Sequence, residues 1–225
     1  MTQNSEIRTP DCILCESGET SHLCREESRR MRMRDFYRCG NCRLVFVHPE
    51  QRLSPEEEFS RYELHENDPD DPAYRGFLNR MFEPLSKKLS PGSFGLDFGS
   101  GPGPALSRML EEEGHTVRIY DPFYADDPSV FDETYDFITS TETAEHLFRP
   151  RWELDRLWSC LKSGGWLGIM TSLAPDDEQF AGWHYKNDDT HVTFYARESF
   201  EWLKRRWKAG LEFSGESVML FRKNG

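Results

Sequence analysis

A glycine-rich turn near the middle of the chain has the clearest chemical signature in the sequence. In LDFGSGPGP, residues 96–104, an apolar run ends in three closely spaced glycines. They are Gly99, Gly101 and Gly103. Glycine lets the backbone turn sharply and approach a ligand closely, and a helix opened by Pro104 would offer its free amides there. Counted from Asp97 the spacing is DxGxGxG, which differs from the dinucleotide fingerprint GxGxxG because Pro104 occupies the third glycine position.

An acid, Asp121, follows the next predicted strand, HTVRIY at 115–120, and lies 22 residues past Gly99. An acid at this point can accept hydrogen bonds from two ribose hydroxyls. A glycine turn alone is a weak signal. Between a strand and a helix, and with this acid, it predicts a site for a ribose-bearing ligand.

A third polar group follows the strand predicted at 135–140, YDFITS. If a helix comes next, Glu142, Glu145 and His146 occupy positions i, i+3 and i+4 and share a face near the carboxyl edge of the sheet, where ligands bind. We expect His146 to be the first candidate for a general base, with Glu142 beside it, because an unperturbed imidazole has a pKa near neutrality.

Two cysteine pairs near the N-terminus have the spacing of a metal site. CILC contains Cys12 and Cys15, and CGNC contains Cys39 and Cys42. Four thiolates in two knuckles supply a closed tetrahedral zinc site of the structural kind. The alternatives are four reduced cysteines buried as small apolar side chains, or a site in which His22 or Cys24 replaces one ligand. Cys160, in a Trp-rich segment, is predicted to be a core residue.

Strands and helices alternate in the part of the chain that would position these groups. Strands are predicted at 93–98, 115–120, 135–140 and 164–172, helices at 74–89, 104–114, 141–161 and 196–207, and a hairpin at 211–223. Pro84 and Pro150 should bend or break their helices. The alternation predicts an α/β fold, a doubly wound and mostly parallel sheet with an antiparallel edge hairpin. Near the cysteines, RMRMRDFYRC and RLVFV predict two paired strands.

The motifs LDFGSGPGP, Asp121, YDFITSTETAEHL and LKSGGWLGIMTS together resemble those of class I S-adenosylmethionine-dependent methyltransferases, over about residues 89–225. The resemblance implies a Rossmann-like domain that transfers a methyl group from S-adenosylmethionine. It assigns the cofactor contacts to Asp97, Gly99, Ser100, Gly101, Gly103, Asp121, Pro122, Ser140 and Thr141. Only 13 residues separate Asp121 from YDFITS, so the helix and third strand usual in this class are shortened or absent.

The resemblance gives TETAEH a second possible role. It is similar to an ExxEH segment that holds a divalent metal in ubiquinone-biosynthesis O-methyltransferases and small-RNA 2′-O-methyltransferases. In the second group a histidine later in the chain is a further metal ligand, and His191 matches it here. Glu142, Glu145, His146 and His191 would then hold a metal that lowers the pKa of a substrate hydroxyl. Alternatively, Glu145 and His146 pack, hydrogen-bond or act as a base without metal.

Two further segments are candidates for substrate contact. A polar, aromatic loop after the fifth strand carries Trp183, His184, Tyr185 and His191. The residues Tyr62, His65 and Asn67 lie in an acidic segment that could form either a lid over the cofactor or a mobile surface loop. We divide the chain into a zinc-ribbon-like module at 1–50, an acidic linker and capping helix at 51–88, and the Rossmann-like domain at 89–225.

The charge balance limits the choice of acceptor. The chain has 40 acidic and 28 basic residues, a formal net charge of −12. The excess lies in residues 51–73 and 121–136, which both adjoin the predicted cofactor site, and would repel a polyanion and suit a small neutral or cationic acceptor. Nucleic acid is possible but not favoured.

An RNA or protein acceptor is the main alternative, and it would dock through the arginines of the ribbon. These are Arg25, Arg29, Arg30, Arg32, Arg34 and Arg38. A solvated strand face balanced by nearby glutamates is the favoured explanation, because residues 1–50 are net neutral. A non-catalytic cofactor-binding scaffold is the third possibility.

The sequence also predicts where the protein resides. No apolar run approaches the roughly 20 residues that span a bilayer, and MTQNSEIRTPD has no apolar signal core. We therefore expect a cytoplasmic protein without a membrane partner, in which reduced thiols are normal.

Overall fold

The computed structural model describes residues 9–28, 31–63 and 68–225. Its strands are Thr20–Glu27 (β1), Met33–Cys39 (β2), Val45–Val47 (β3), Phe94–Phe98 (β4), Thr116–Tyr120 (β5), Tyr135–Thr141 (β6), Leu161–Met170 (β7), Thr193–Phe194 (β8), Gly210–Ser214 (β9) and Val218–Arg222 (β10). Its α-helices are Pro55–Tyr62 (α1), Pro72–Ser86 (α2), Ala105–Glu112 (α3), Pro150–Ser159 (α4), Asp177–Phe180 (α5) and Arg197–Trp207 (α6).

The larger sheet has six strands in the order β5-β4-β6-β7-β10-β9. The pairs β5–β4, β4–β6 and β6–β7 are parallel, whereas β10 pairs antiparallel with both β7 and β9. This confirms the predicted Rossmann-like α/β sheet with its antiparallel edge hairpin. Between β5 and β6 the described residues form only a short 3₁₀ helix, Pro128–Asp132, so the usual third strand is absent.

Both faces of the sheet are covered, so consecutive residues of its central strands are buried, as residues 137–140 of β6 are. Successive residues of a strand enter different layers, as Phe137 and Ile138 of β6 do. Phe137 packs in the layer of α2 and α3, and Ile138 packs in the layer of α4 and α6. The carboxyl ends of β4, β5 and β6 therefore open between helices at one edge, where ligands bind in this architecture.

The smaller sheet joins the N-terminal segment to the rest of the molecule. Its order is β1-β2-β3-β8, and β8 comes from far along the chain. Val45 and Phe46 of β3 face Phe194 and Thr193 of β8 in antiparallel register. The four clustered cysteines belong to the same apolar core as α4 and α6. Neither β1 nor β8 was predicted from the sequence.

The helix predicted at 141–161 is wrong in its first half. Glu142 has a positive φ of 50° and its amide bonds to Met170 O at 2.8 Å, which extends the β6–β7 ladder. Ala144–His146 forms one 3₁₀ turn, and α4 begins only at Pro150. Proline favours the first turn of a helix and disfavours helical geometry in the residue before it, so it starts α4 and prevents a longer one.

Two smaller differences concern proline and glycine. Pro84 does not split its helix, because it lies near the end and α2 continues to Ser86. Strand β7 starts at Leu161 and includes Gly164, so the predicted Gly-Gly turn is an irregular part of the strand. None of the helices in residues 9–28, 31–63 and 68–225 combines the length and apolar character needed to cross a membrane.

Candidate active site

A cavity of about 670 Å³ lies at the carboxyl ends of β4, β5 and β6. Seven of the nine residues predicted to contact the cofactor line it: Asp97, Gly99, Ser100, Gly101, Asp121, Pro122 and Thr141. The other two, Gly103 and Ser140, do not. Ser140 is fully buried, and its hydroxyl has no hydrogen-bond partner among the described residues. Because side chains alternate along a strand, Ser140 points away from the face that Thr141 presents to the cavity.

The first turn of the glycine loop requires glycine for two reasons. Gly99 has a φ of +76°, a conformation that other residues rarely adopt. A Cβ at this position would also lie 2.2 Å from Oγ1 of Thr143. The amides of Gly99 and Ser100 both donate to Tyr120 O, at 2.8 and 3.2 Å. The loop is therefore held between the end of β5 and the residues after β6.

The carboxylate of Asp121 organises the same edge. Oδ2 accepts a hydrogen bond from the amide of Gly101 at 3.0 Å. Oδ1 accepts from the amides of Phe123 and Tyr124 at 2.9 and 3.2 Å. Asp121 thus connects the glycine loop to the turn after β5, and its carboxylate lines the cavity between them.

Asp97 has a structural role in addition to lining the cavity. Its carboxylate is buried and accepts hydrogen bonds from Ser107 Oγ at 2.8 Å and Thr139 Oγ1 at 2.7 Å. Burial raises the pKa of Asp97 above its usual value. These contacts hold the start of α3 and strand β6 to strand β4, which fixes the walls of the loop.

Glu142 and Glu145 meet at one hydroxyl, although they do not share a helix face. The Tyr185 hydroxyl lies 3.1 Å from Glu142 Oε2 and also contacts Glu145 Oε1. Burial, and then the charge of Glu145, raise the pKa of Glu142 to about 8. Burial and both carboxylates raise the pKa of Tyr185 above its usual value, so the phenol stays protonated. The other Glu145 oxygen, Oε2, is buried without a partner among the described residues.

The two predicted histidines lie next to each other on the cavity wall. The ring centroids of His146 and His191 are 4.8 Å apart. His146 Nδ1 lies 3.2 Å from Thr190 O, and His191 Nδ1 lies 2.7 Å from Tyr185 O. Since a carbonyl only accepts, each Nδ1 donates, and Nε2 of each neutral ring is then a proton acceptor. Burial, and then His146, lower the pKa of His191.

Glu145, His146 and His191 form a group in which one ligand atom from each lies within 4.8 Å of the others. Imidazoles that donate their second nitrogen to a carbonyl are typical of metal ligands, because the bond fixes the ring. Glu142, the fourth predicted ligand, is not part of this group.

Only part of the predicted acceptor loop faces the cavity. His191 lines it, and Tyr185 lies behind Glu142 and Glu145. Trp183 packs against Phe180 in an apolar cluster instead. His184 is exposed. No local sequence pattern predicted the Tyr185 contacts, which join residues 40 and 43 positions apart.

Helix α1 covers one side of the cavity. The Tyr62 ring contacts the rings of Phe123 and His146, with centroids 5.4 and 5.5 Å apart. The Tyr62 hydroxyl donates to Glu58 at 2.7 Å. His65 and Asn67, the other predicted lid residues, lie outside the described residues.

Acidic groups dominate the polar part of the cavity wall. In the described part of the chain its lining contains no lysine or arginine and seven carboxylates: Glu58, Asp97, Asp121, Glu142, Glu145, Glu153 and Asp188. Both acidic segments of the sequence contribute to this wall.

The four predicted zinc ligands are close together in space. Their Sγ atoms all lie within 4.8 Å of one another, with Cys12 and Cys42 3.6 Å apart and Cys15 and Cys39 3.4 Å apart. Two thiolates on a tetrahedral zinc would lie about 3.8 Å apart. The amides of Cys15 and Cys42 approach the sulfur of the first cysteine of their own pair at 3.5 Å. The four residues therefore fit a structural zinc site.

Neither alternative ligand belongs to the cysteine group. His22 Nε2 pairs with Asp35 at 3.0 Å. Cys24 lies apart from the cluster, and burial raises its pKa to about 11. Cys160 is buried, as predicted for a core residue.

Among the described ribbon arginines, Arg34 and Arg38 are not free at the surface. Arg34 and Arg38 are 4 % and 3 % exposed, and each donates to backbone carbonyls of the larger domain. Arg32 pairs with Glu57 at 2.7 Å, and Arg25 lies 3.9 Å from Asp35. Arg29 and Arg30 lie outside the described residues. Arg34 and Arg38 are therefore not available for the alternative role of docking groups.

The chain was compared with protein families, curated sequences and solved structures. The model of a family described as a methyltransferase domain matches residues 64–213. An O-methyltransferase family protein from Burkholderia thailandensis is 15 % identical, with a TM-score of 0.51 over 74 % of this chain and 62 % of the other. At this identity the likeness concerns the fold alone. No curated protein sequence matches the chain.

Two other solved structures are similar at lower TM-scores. The 1,6-didemethyltoxoflavin-N1-methyltransferase of Burkholderia thailandensis, with bound 1,6-didemethyltoxoflavin and S-adenosylhomocysteine, is 15 % identical and has a TM-score of 0.49. The matched region covers 83 % of this chain and 98 % of the Burkholderia chain. A SAM-dependent methyltransferase from Thermotoga maritima is 16 % identical, with a TM-score of 0.45 over 74 % and 99 % of the two chains.

Proposed function

The chain belongs to the family of methyltransferase domains, and from that premise we propose that it transfers a methyl group from S-adenosylmethionine to a small neutral or cationic acceptor. The observation that carries the proposal is the joint position of Asp121 and the glycine loop on one cavity wall. The cavity, at about 670 Å³, lies within the roughly 300–1,000 Å³ of ordinary small-molecule sites.

The loop side of the cavity suits the cofactor. Glycine at position 99 permits a φ of +76° and lets the Thr143 side chain pack directly against the loop backbone, which shapes this side of the cavity. We assign the ribose hydroxyls of the cofactor to the Asp121 carboxylate. We assign cofactor contacts to the seven cavity-lining residues among the nine predicted. Bound S-adenosylmethionine would supply the methyl group and leave as S-adenosylhomocysteine.

The histidine pair on the cavity wall is the proposed proton acceptor. As an acceptor oxygen or nitrogen bonds to the methyl carbon, its proton must leave, and an imidazole, His146 or His191, has the chemistry to take it. Burial lowers the pKa of His191, which keeps that ring neutral and able to accept a proton at physiological pH. We assign the base to this histidine pair, with His146 the first choice. We assign a supporting role in the transfer to Glu142, which lines the cavity and contacts Tyr185.

We infer the class of acceptor from the charge of the wall. Seven acidic residues and no described lysine or arginine line the cavity; although Glu142 is protonated at neutral pH, a phosphate-rich acceptor would find no basic partner there and would be repelled by the acids that are ionised. A protonated amine or a neutral phenol would not. Docking of RNA through the ribbon is disfavoured, because Arg34 and Arg38 are committed to internal carbonyls.

A second candidate role for the histidine pair is to bind a divalent cation together with Glu145. The observation in its favour is the compact group of three ligand atoms, with one buried Glu145 oxygen that lacks a partner among the described residues. A cation held there would lower the pKa of an acceptor hydroxyl. Titration of Mn²⁺ into wild type and His191→Ala, followed by calorimetry, tests it; equal heats in the two proteins would refute it.

The four-cysteine group is proposed to hold zinc in a structural role. The metal would close the ribbon by joining Cys12 and Cys15 to Cys39 and Cys42. It lies away from the cavity wall, since none of these cysteines lines the cavity.

Methyl transfer is tested with a labelled cofactor. S-adenosylmethionine carrying a labelled methyl group is incubated with the protein and with separate small-molecule, RNA and protein fractions of a cell extract. We expect label in the small-molecule fraction, and its loss in Asp121→Ala. Label only in RNA or protein would refute the proposed acceptor class, and cofactor binding without turnover on any fraction would favour a scaffold.

A further inference from the structure

Arg34 of strand β2 contacts a segment of the chain that lies more than 150 positions away. Its Nη1 donates to Asp188 O at 2.9 Å and to His191 O at 3.2 Å, and its Nη2 donates to Lys186 O. One buried guanidinium therefore binds three carbonyl oxygens of a single loop. The planar fork of arginine fixes the relative positions of its partners, since its donors have fixed directions.

A second ionic contact joins the same two regions. The Lys186 side chain is 4 % exposed, and its Nζ pairs with Glu26 of strand β1. Asp189 Oδ1 lies 3.8 Å from Arg34 Nε. Two neighbouring strands of the ribbon thus hold residues 186–191 through charged side chains, of which Arg34, Lys186 and Asp189 are buried and Glu26 is partly exposed.

The backbone continues this connection to the cavity. The Val47 amide of strand β3 donates to Val192 O at 2.9 Å, and the Val192 amide donates to Glu145 O at 2.9 Å. The loop therefore lies between the ribbon and the turn that carries Glu145 and His146.

The part of the loop held by Arg34 is also the part that orients His191. The His191 ring is fixed by its Nδ1 bond to Tyr185 O, and Arg34 binds the His191 carbonyl itself. Tyr185 in turn contacts the carboxylates of Glu142 and Glu145. A shift of this loop would change the direction of Nε2 of His191 and remove the brace between the two glutamates.

We propose that Arg34 is a positioning residue for methyl transfer, through which the cysteine-bearing ribbon holds the acceptor wall of the cavity in its active geometry. The role rests on the proposed function, because it concerns the acceptor side of that site. In this proposal the ribbon positions part of the active site and does not dock an RNA or protein acceptor. The cofactor loop makes none of these contacts, so cofactor binding should be independent of Arg34.

Arg38 provides a matched control on the same strand. It is equally buried, but it donates to Arg43 O at 3.3 Å and Pro175 O at 2.8 Å and pairs with Asp177, all outside residues 184–192. Arg34→Met and Arg38→Met remove the same group from the same face of the ribbon. A general loss of ribbon stability should therefore be common to both variants.

The test combines hydrogen exchange of residues 184–192 with the ¹⁵N resonances of the His191 ring. In Arg34→Met we expect exchange to increase about tenfold or more, because buried carbonyls lose their partners, and the His191 signals to move. In Arg38→Met the exchange of residues 184–192 and the His191 signals should both match wild type. Affinity for S-adenosylhomocysteine should change less than about twofold in either variant, while the rate of methyl transfer falls about tenfold or more only in Arg34→Met.

Equal effects in the two variants, or unchanged His191 resonances in Arg34→Met, would overturn the proposal. If Arg34→Met does not fold, Glu26→Gln takes its place, since it weakens only the contact to Lys186; unchanged exchange at 184–192 in that variant would also overturn it. Failure of wild type to bind S-adenosylhomocysteine would instead count against the proposed function, and the His191 readout would remain interpretable.

Discussion

The amide of Gly101 donates a hydrogen bond to Oδ2 of Asp121 at 3.0 Å. This bond joins the turn after the first strand of the larger sheet to the end of the neighbouring strand. The Asp121 carboxylate therefore has two roles: it holds the glycine loop through Gly101, and it lines the cavity where a ligand would bind. Loss of Asp121 should therefore affect the shape of the loop as well as the ribose contact.

Gly99→Ala should destabilise the protein more than an ordinary glycine substitution does. The φ of +76° costs about 1–2 kcal/mol for alanine, and the Cβ would also overlap the Thr143 side chain at 2.2 Å. Gly114→Ala is the matched control, because its φ is +87° and nothing lies within 4 Å of the added Cβ. Urea unfolding of both variants measures the difference, and equal losses would show that Thr143 does not constrain the loop.

The stability of the protein should depend on the protonation of Glu142. Its pKa is raised from 4.5 to about 8 in the folded state, so protonated Glu142 contributes stability that is fully present below about pH 4.5 and is lost as pH rises through about 8. Between about pH 5 and pH 9, the free energy of unfolding of wild type should fall by a few kcal/mol more than that of Glu142→Gln, which keeps a neutral side chain.

Glu133→Gln serves as the control for this pH series, because Glu133 is exposed. Its stability profile should follow that of wild type. Parallel profiles for wild type and Glu142→Gln would mean that Glu142 is ionised in the folded state at neutral pH.

The purified protein should contain one equivalent of zinc. Cys39→Ser should lose the metal and several kcal/mol of stability, because a structural zinc site contributes directly to folding. Cys24→Ser, which changes a cysteine outside the cluster, should retain the metal and the stability of wild type. Metal analysis together with thermal unfolding decides the matter, and less than half an equivalent in wild type would contradict the zinc assignment.

The features that the sequence predicted correctly depend on local spacing. The glycine turn and each CxxC pair span only a few residues, and the acid comes directly after a predicted strand. These patterns are therefore visible in the sequence. The parallel sheet follows from the alternation of apolar runs with helices. Cys12 and Cys39 come from different pairs, and the CxxC spacing was enough to predict that the four thiols lie close together, whereas the zinc itself stays a prediction.

The features that were missed depend on long-range contacts. Tyr185 reaches Glu142, and Arg34 reaches Lys186 O, across 43 and 152 positions. No local pattern encodes such pairs. The expected helix at Glu142 failed because its amide satisfies Met170 O in the sheet, a contact that outweighs the weak helical preference of a segment ended by Pro150.

Calorimetric titration with S-adenosylhomocysteine tests the central claim most directly. Wild type should bind one equivalent, and Asp121→Ala should bind about 100-fold or more weakly, because two charge-assisted hydrogen bonds are lost. Gly101→Arg should abolish binding by filling the loop. Asp126→Ala, which removes the same charge from an exposed position in the same segment, should bind like wild type. Unchanged affinity in Asp121→Ala and Gly101→Arg would contradict the assignment of this cavity to the cofactor.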